Sequence, residues 1–91
     1  MMDRKDFIEI LNLMANGGSS MVHYVQIEYK NGNFHNGFFS GINSNSIPPV
    51  ITFCEREYPT GSEPYHIIDW NNIKTLVIKM HNEDKERIYH N

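Results

Sequence analysis

The stretch VQIEYKNGNFHNGFF, residues 25–39, decides the architecture. Val25, Ile27 and Tyr29 alternate with Gln26, Glu28 and Lys30, the period-two pattern of a half-buried strand. Asn31-Gly32 follows at once, a strong short-range hairpin signal when strand-like runs flank it. The pair predicts a tight turn of type I′, in which both central residues take positive φ. The returning strand, Asn33 to Ile42, carries Gly37 and Gly41 in its interior. Glycine weakens a strand there, so each predicts a bulge, a strong bend or close approach of another backbone.

Upstream, the period is helical. Phe7, Ile10, Leu11 and Met14 fall at i, i+3, i+4 and i+7, with Asp6, Glu9 and Asn12 off the stripe. This predicts a helix over residues 3–15, with Asp3 as N-cap and Asn16 to Gly18 as its left-handed stop. Such a helix has one apolar face to place. Two destinations are open: the end of a barrel or sheet, or a partner.

Downstream, Asn43 to Pro49 (NSNSIPP) reads as a loop and Val50 to Glu57 (VITFCERE) as a third strand. The turn-rich Tyr58 to Pro64 leads to a short strand, Tyr65 to Asp69, and Ile73 to Met80 makes the last. The tail 81–91 is polar and is expected to fray or extend briefly as helix. One helix followed by five short, bent antiparallel strands in about sixty residues points to a mainly β fold, a small barrel whose closure removes exposed edges. Ile51, Phe53, Ile73, Leu76 and Ile78 are its expected core.

Composition narrows the function. Ninety-one residues make one domain with a thin stability margin, which self-association would widen. Eight Lys and Arg face eleven Asp and Glu, so phosphate neutralisation has no global basic surface behind it. Cys54 is the only cysteine, so no intrachain disulfide forms and no oxidising compartment is required. Residues 1–14 mix charges among their apolar side chains, so no signal peptide is expected, and no run is long enough to span a bilayer. A cytoplasmic location is the expectation.

Catalytic and cofactor motifs are sparse. Cys54, Glu55, Glu57, His66 and His81 are the richest reactive set, but Cys54 sits in an apolar-alternating strand, where a thiol acts as a small hydrophobe. His23, His35, His66, His81 and His90 lack zinc-ligand spacing, and no glycine-rich phosphate loop opens a helix. The expectation is a noncatalytic domain with no cofactor.

The opening hairpin resembles the first motif of the Sm and Sm-like (LSm) family of small barrels. Val25-x-Ile27-x-Tyr29-Lys30-Asn31-Gly32, then Gly37, Phe39 and Asn43, follow that motif's spacing. A second motif is partly echoed in IIDWNNIKTLVI: Ile68, Asn71, Asn72 and Ile73 fit, while Asp69 and Trp70 stand where the family has Arg and Gly. The resemblance covers about residues 4–80. It implies an Sm-like or SH3-like five-stranded barrel, rings formed through edge strands, and a base held between the loop after the second strand and the loop before the fifth.

Here those loops are residues 43–47 and 69–72. The resemblance makes Asn43, Asn45, Asn71 and Asn72 candidate ligand-binding residues, with single-stranded RNA or a nucleotide-type ligand as partner. The missing Arg tells against phosphate, and Asp69 would repel one by about a kcal/mol. Trp70 has two open readings, stacking on a base for ~1–3 kcal/mol with Tyr65 or His66 assisting, or burial beneath the helix. Asn43 to Ser46 is either a solvated turn or a polar recognition loop. A second class of function is also open, an acidic adaptor or inhibitor that meets a protein partner with residues 54–57 and 69–72 exposed.

Overall fold

The structure, a computed structural model, describes residues 3–17, 21–43, 45, 49–56 and 65–91. One helix, α1 (Arg4–Gly17), precedes six strands: β1 (Val22–Tyr29), β2 (Phe34–Asn43), β3 (Val50–Cys54), β4 (Tyr65–Ile67), β5 (Ile73–Met80) and β6 (Arg87–His90). They form a single antiparallel sheet in the order β4-β3-β2-β1-β5-β6. The fold is therefore mainly β behind an amino-terminal helix, as expected. No helix among the described residues is long and apolar enough to cross a membrane, which says nothing of strands.

Asp3 caps α1 as its sequence position demands. The Lys5 amide donates to Asp3 Oδ1 at 2.8 Å and the Phe7 amide to the Asp3 carbonyl at 2.9 Å, satisfying amides that a helix start leaves open. Ile10 and Met14 are fully buried, and Phe7 and Leu11 pack beside them, so the stripe faces the sheet. The helix runs two residues past the expected Ala15; Gly18 of the expected stop lies outside the described residues.

The hairpin departs from expectation in its turn. The Gly32 amide donates to the Tyr29 carbonyl at 2.9 Å, which places Lys30 and Asn31 at the centre, and Gly32 alone has positive φ, at 89°. This is a type I turn followed by a left-handed glycine, the three-residue loop that also matches strand twist. Asn31 explains the change. Its Oδ1 accepts the Asn33 amide at 3.0 Å, a local bond that leaves Asn31 in ordinary backbone and passes the positive φ to Gly32.

Both strand glycines do what their positions require. A Cβ on Gly37 would stand 2.5 Å from Phe53 Cδ2 and 2.9 Å from the Cys54 carbonyl oxygen, so β3 lies directly on the bare backbone of β2. The β2–β3 register slips between Phe39 and Gly41, a bulge that bends β2. In a flat sheet, four strand spacings would put β4 about 19 Å from β5. Ile68–Asn72 ends in a 3₁₀ turn at Trp70–Asn72 that rises only about 2 Å per residue, so with the other residues extended the link reaches about 17 Å, and the sheet curls. Overall extents of 34 × 29 × 28 Å fit a rolled sheet.

Four expectations need correction. The tail is neither frayed nor helical: Arg87–His90 pairs with β5, with Leu76 opposite Tyr89 and Val77 opposite Ile88. There are six strands rather than five, and β4 pairs with neither β5 nor β6, so hydrogen bonds do not close the cylinder. β5, read as the last strand and hence as an edge for a neighbouring copy, is paired on its outer side by β6, which among the described residues leaves β4 and β6 as the edges of the sheet. The third and fourth strands are shorter than read, ending at Cys54 and Ile67, and Glu57 to Pro64 lie outside the described residues.

The expected core is in place: Ile51, Phe53, Ile73, Leu76 and Ile78 are at most 1% exposed. Val25, Ile27 and Met80 join them, and each such side chain contributes about 1.5–3 kcal/mol on burial. Arg87 fastens β6 to the helix, its Nη1 lying 3.0 Å from Glu9 Oε1 and its Nη2 2.7 Å from Glu83 Oε2.

Candidate functional site

A polar-lined concavity lies where the β1–β2 turn meets the segment before β5. Two main-chain contacts hold the junction: the Lys30 amide donates to the Asn72 carbonyl at 2.8 Å, and the Asp69 amide donates to Tyr29 Oη at 3.4 Å. Lys30 Nζ reaches the Asn71 carbonyl at 3.2 Å. Between the two segments opens a cleft of about 350 Å³, lined by Tyr29, Asn31, Asn33, His35, Ile67, Asp69 and Asn72. That volume suits a small planar ligand.

Its polar groups are differently committed. Asn72 Nδ2 donates to Asp69 Oδ2 at 2.7 Å, which orients the carboxylate. Asn31 spends its Oδ1 on the turn and keeps its amino hydrogens, while the Asn33 side chain has no partner among the described residues. Burial pushes the Tyr29 phenol above its ordinary pKa, so it stays a neutral donor and acceptor at the cleft floor. His35 packs edge-on to Tyr29 at 5.3 Å and lies 4.9 Å from His66, and its Nδ1 is buried without a hydrogen-bond partner. An unmade bond of this kind costs about 1–3 kcal/mol. Ile67, 61% exposed, supplies an apolar wall.

The residues expected to bind a ligand are dispersed around this cleft. Asn72 lines it. Asn71 is exposed beside it, its carbonyl taken by Lys30. Tyr65 is half exposed on the outer strand, and His66 stacks on Phe53 at 5.5 Å with Nε2 3.3 Å from Glu55 Oε1. Asn43 and Asn45 close a turn on each other, the Asn45 amide donating to Asn43 Oδ1 at 3.0 Å. That is the solvated-turn arrangement; Ser44, Ser46 and Ile47 of the same loop lie outside the described residues.

Of the two readings of Trp70, burial beneath the helix holds and stacking on a base does not. Trp70 is 7% exposed, its ring edge-on to Phe7 of α1 at 4.9 Å, and its Nε1–H donates to the Pro49 carbonyl at 3.0 Å. A base has no face to stack on, because the helix already covers the indole. The same hydrogen bond ties the segment before β5 to the residue that precedes β3. The view of residues 54–57 and 69–72 as exposed surfaces is likewise amended: Cys54 and Trp70 are buried, while Glu55, Arg56, Asp69, Asn71 and Asn72 are exposed.

Tyr29, Asn31, Asn33, His35 and Ile67 were not singled out as ligand-binding residues from sequence. They read as strand and turn residues, and only the long-range bond between Lys30 and Asn72 reveals that they face Asp69. Of the reactive set, Glu55 and His66 meet at 3.3 Å, whereas the Cys54 thiol is buried and His81 stacks on His23 at 4.6 Å; Glu57 lies outside the described residues. Among the described residues no three His, Cys, Asp or Glu side chains come together as metal ligands. Compared with protein-family models, curated proteins and solved structures, the chain matches none.

Proposed function

We propose that this chain is a noncatalytic binding module of Sm-like type, a strongly bent small barrel that takes single-stranded RNA or a small nucleotide-type ligand and works as a homo-oligomer. The observation that carries the reading is the amide-lined cleft between the β1–β2 turn and residues 69–72. Neutral amides donate and accept without committing to one charge, as the edge of a base requires. The bond from Trp70 to Pro49, which ties residues 69–72 to the residue that precedes β3, supports it too. With β5 covered, subunits associate through the free edges β4 and β6, where Tyr65, Ile67 and Ile88 leave apolar surface in water.

Those same exposed side chains favour a second reading, a protein-interaction adaptor that receives a partner's strand at β4. Anisotropy of fluorescein-labelled single-stranded RNA, with light scattering on the same samples, separates the two. Saturable binding by an oligomer, with a shallow salt dependence because few cations meet phosphate, is expected. A monomer that binds neither RNA nor any nucleotide overturns the proposal.

A further inference from the structure

Resting on that reading, we infer that the cleft is a guanine site: it reads the adjacent N1–H and N2–H₂ donors of a guanine base with Asp69 and does not engage the phosphate. A carboxylate only accepts hydrogen bonds, and its two oxygens can take two parallel donors. Among the four RNA bases, guanine alone presents two neighbouring N–H donors on its pairing edge. Among the described residues Asp69 is the only carboxylate lining the cleft, and Asn72 Nδ2 holds one of its oxygens at 2.7 Å, so its orientation is set before a ligand arrives.

The remaining groups complement the rest of that base. The amino hydrogens of the Asn31 and Asn33 side chains are uncommitted among the described residues and offer donors for the guanine O6. Ile67 gives the ring an apolar wall. Phosphate has little to meet. Lys30, the cation nearest the junction, is held at the Asn71 carbonyl, and no Lys or Arg lines the cleft. A carboxylate at the centre repels an anion and attracts a donor edge.

Isothermal titration calorimetry of the full chain with guanosine, inosine, adenosine, cytidine and uridine tests this. Guanosine is expected to bind at least tenfold more tightly than the other four. Inosine, which lacks the N2 amino group, isolates the second donor. Asp69→Asn, an exposed isosteric change checked by circular dichroism, is expected to abolish the guanosine preference. Equal affinity for all five nucleosides, or guanosine binding unchanged in D69N, overturns the guanine assignment while leaving a general nucleotide-binding module standing. RNA binding without any nucleoside binding also overturns it, by moving recognition out of the cleft. Failure of every nucleoside and of RNA removes the parent reading as well.

Discussion

Gly37 and Gly32 show how two residues of one type hold the same hairpin for opposite reasons. Gly37 is there for space, since any Cβ meets the Phe53 ring and the Cys54 backbone. Gly32 is there for conformation: nothing lies within 4 Å of a Cβ at that site, but its φ of 89° strains an L side chain. Gly37→Ala is therefore expected to cost about 1–3 kcal/mol as overpacking, because a carbonyl on a paired strand cannot swing aside. Gly32→Ala should cost about 1–2 kcal/mol, and Gly32→Asn distinctly less, since Asn tolerates the left-handed region. Urea denaturation of the three variants checks the order; equal losses for Gly32→Ala and Gly32→Asn would contradict it. The positive φ of Gly32 was legible in the Asn-Gly pair, whereas for Gly37 the sequence left bulge, bend and close approach open, because it does not record which strand packs on that backbone. Trp70 is the parallel case among aromatics. Its indole donor found a carbonyl and its ring found Phe7, and a lone Trp beside a turn looks the same from sequence whether it faces in or out.

Among the elements, β6 is the one the sequence concealed. Of Arg87–His90 only Tyr89 is buried, so one inward residue gives no alternation to detect. What holds this strand is partly electrostatic. Arg87 Nη2 donates to Glu83 Oε2 and its Nε to Glu83 Oε1, and this hydrogen bonding lowers the Glu83 pKa. A carboxylate whose pKa is depressed by folding stabilises the fold above its unfolded pKa, and the contribution is lost as pH falls through the lowered folded value. Wild type should therefore melt above Glu83→Gln at neutral pH, the difference shrinking as the pH drops below the ordinary glutamate range. Thermal melts of both proteins across that range provide the check, and a gap that widens on acidification would refute the role given to this pair. By contrast α1, the hairpin and β5 were legible because their apolar residues keep a strict period, which β6 and the three-residue β4 are too short to show.

At the scale of the molecule, the sheet order makes β1 the strand with the most to lose. It is paired on both sides, by β2 and β5, and its Val25 and Ile27 sit in the core. Amides of β1 and of the inner side of β5 are expected to exchange slowest with deuterium, at or near the global unfolding free energy. Those of β4 and β6 should exchange fastest, through openings that leave the rest intact. Native-state hydrogen exchange followed residue by residue gives the answer; protection at β4 equal to that at β1 would mean that its outer edge is covered in solution by another chain. Mainly β architecture, the helical cover and most of the core could be read in advance because burial imposes periodicity. The cleft could not, since it is made by segments about forty residues apart whose pairing no local pattern records.

Cys54 carries a practical consequence of this layering. Its thiol is 1% exposed on a strand held by both neighbours, and it is the molecule's only sulfhydryl. Thiol-specific dyes can modify it only after β3 has parted from the sheet, so the labelling rate becomes a clock for that excursion, and brief contact with oxidants leaves the native thiol reduced.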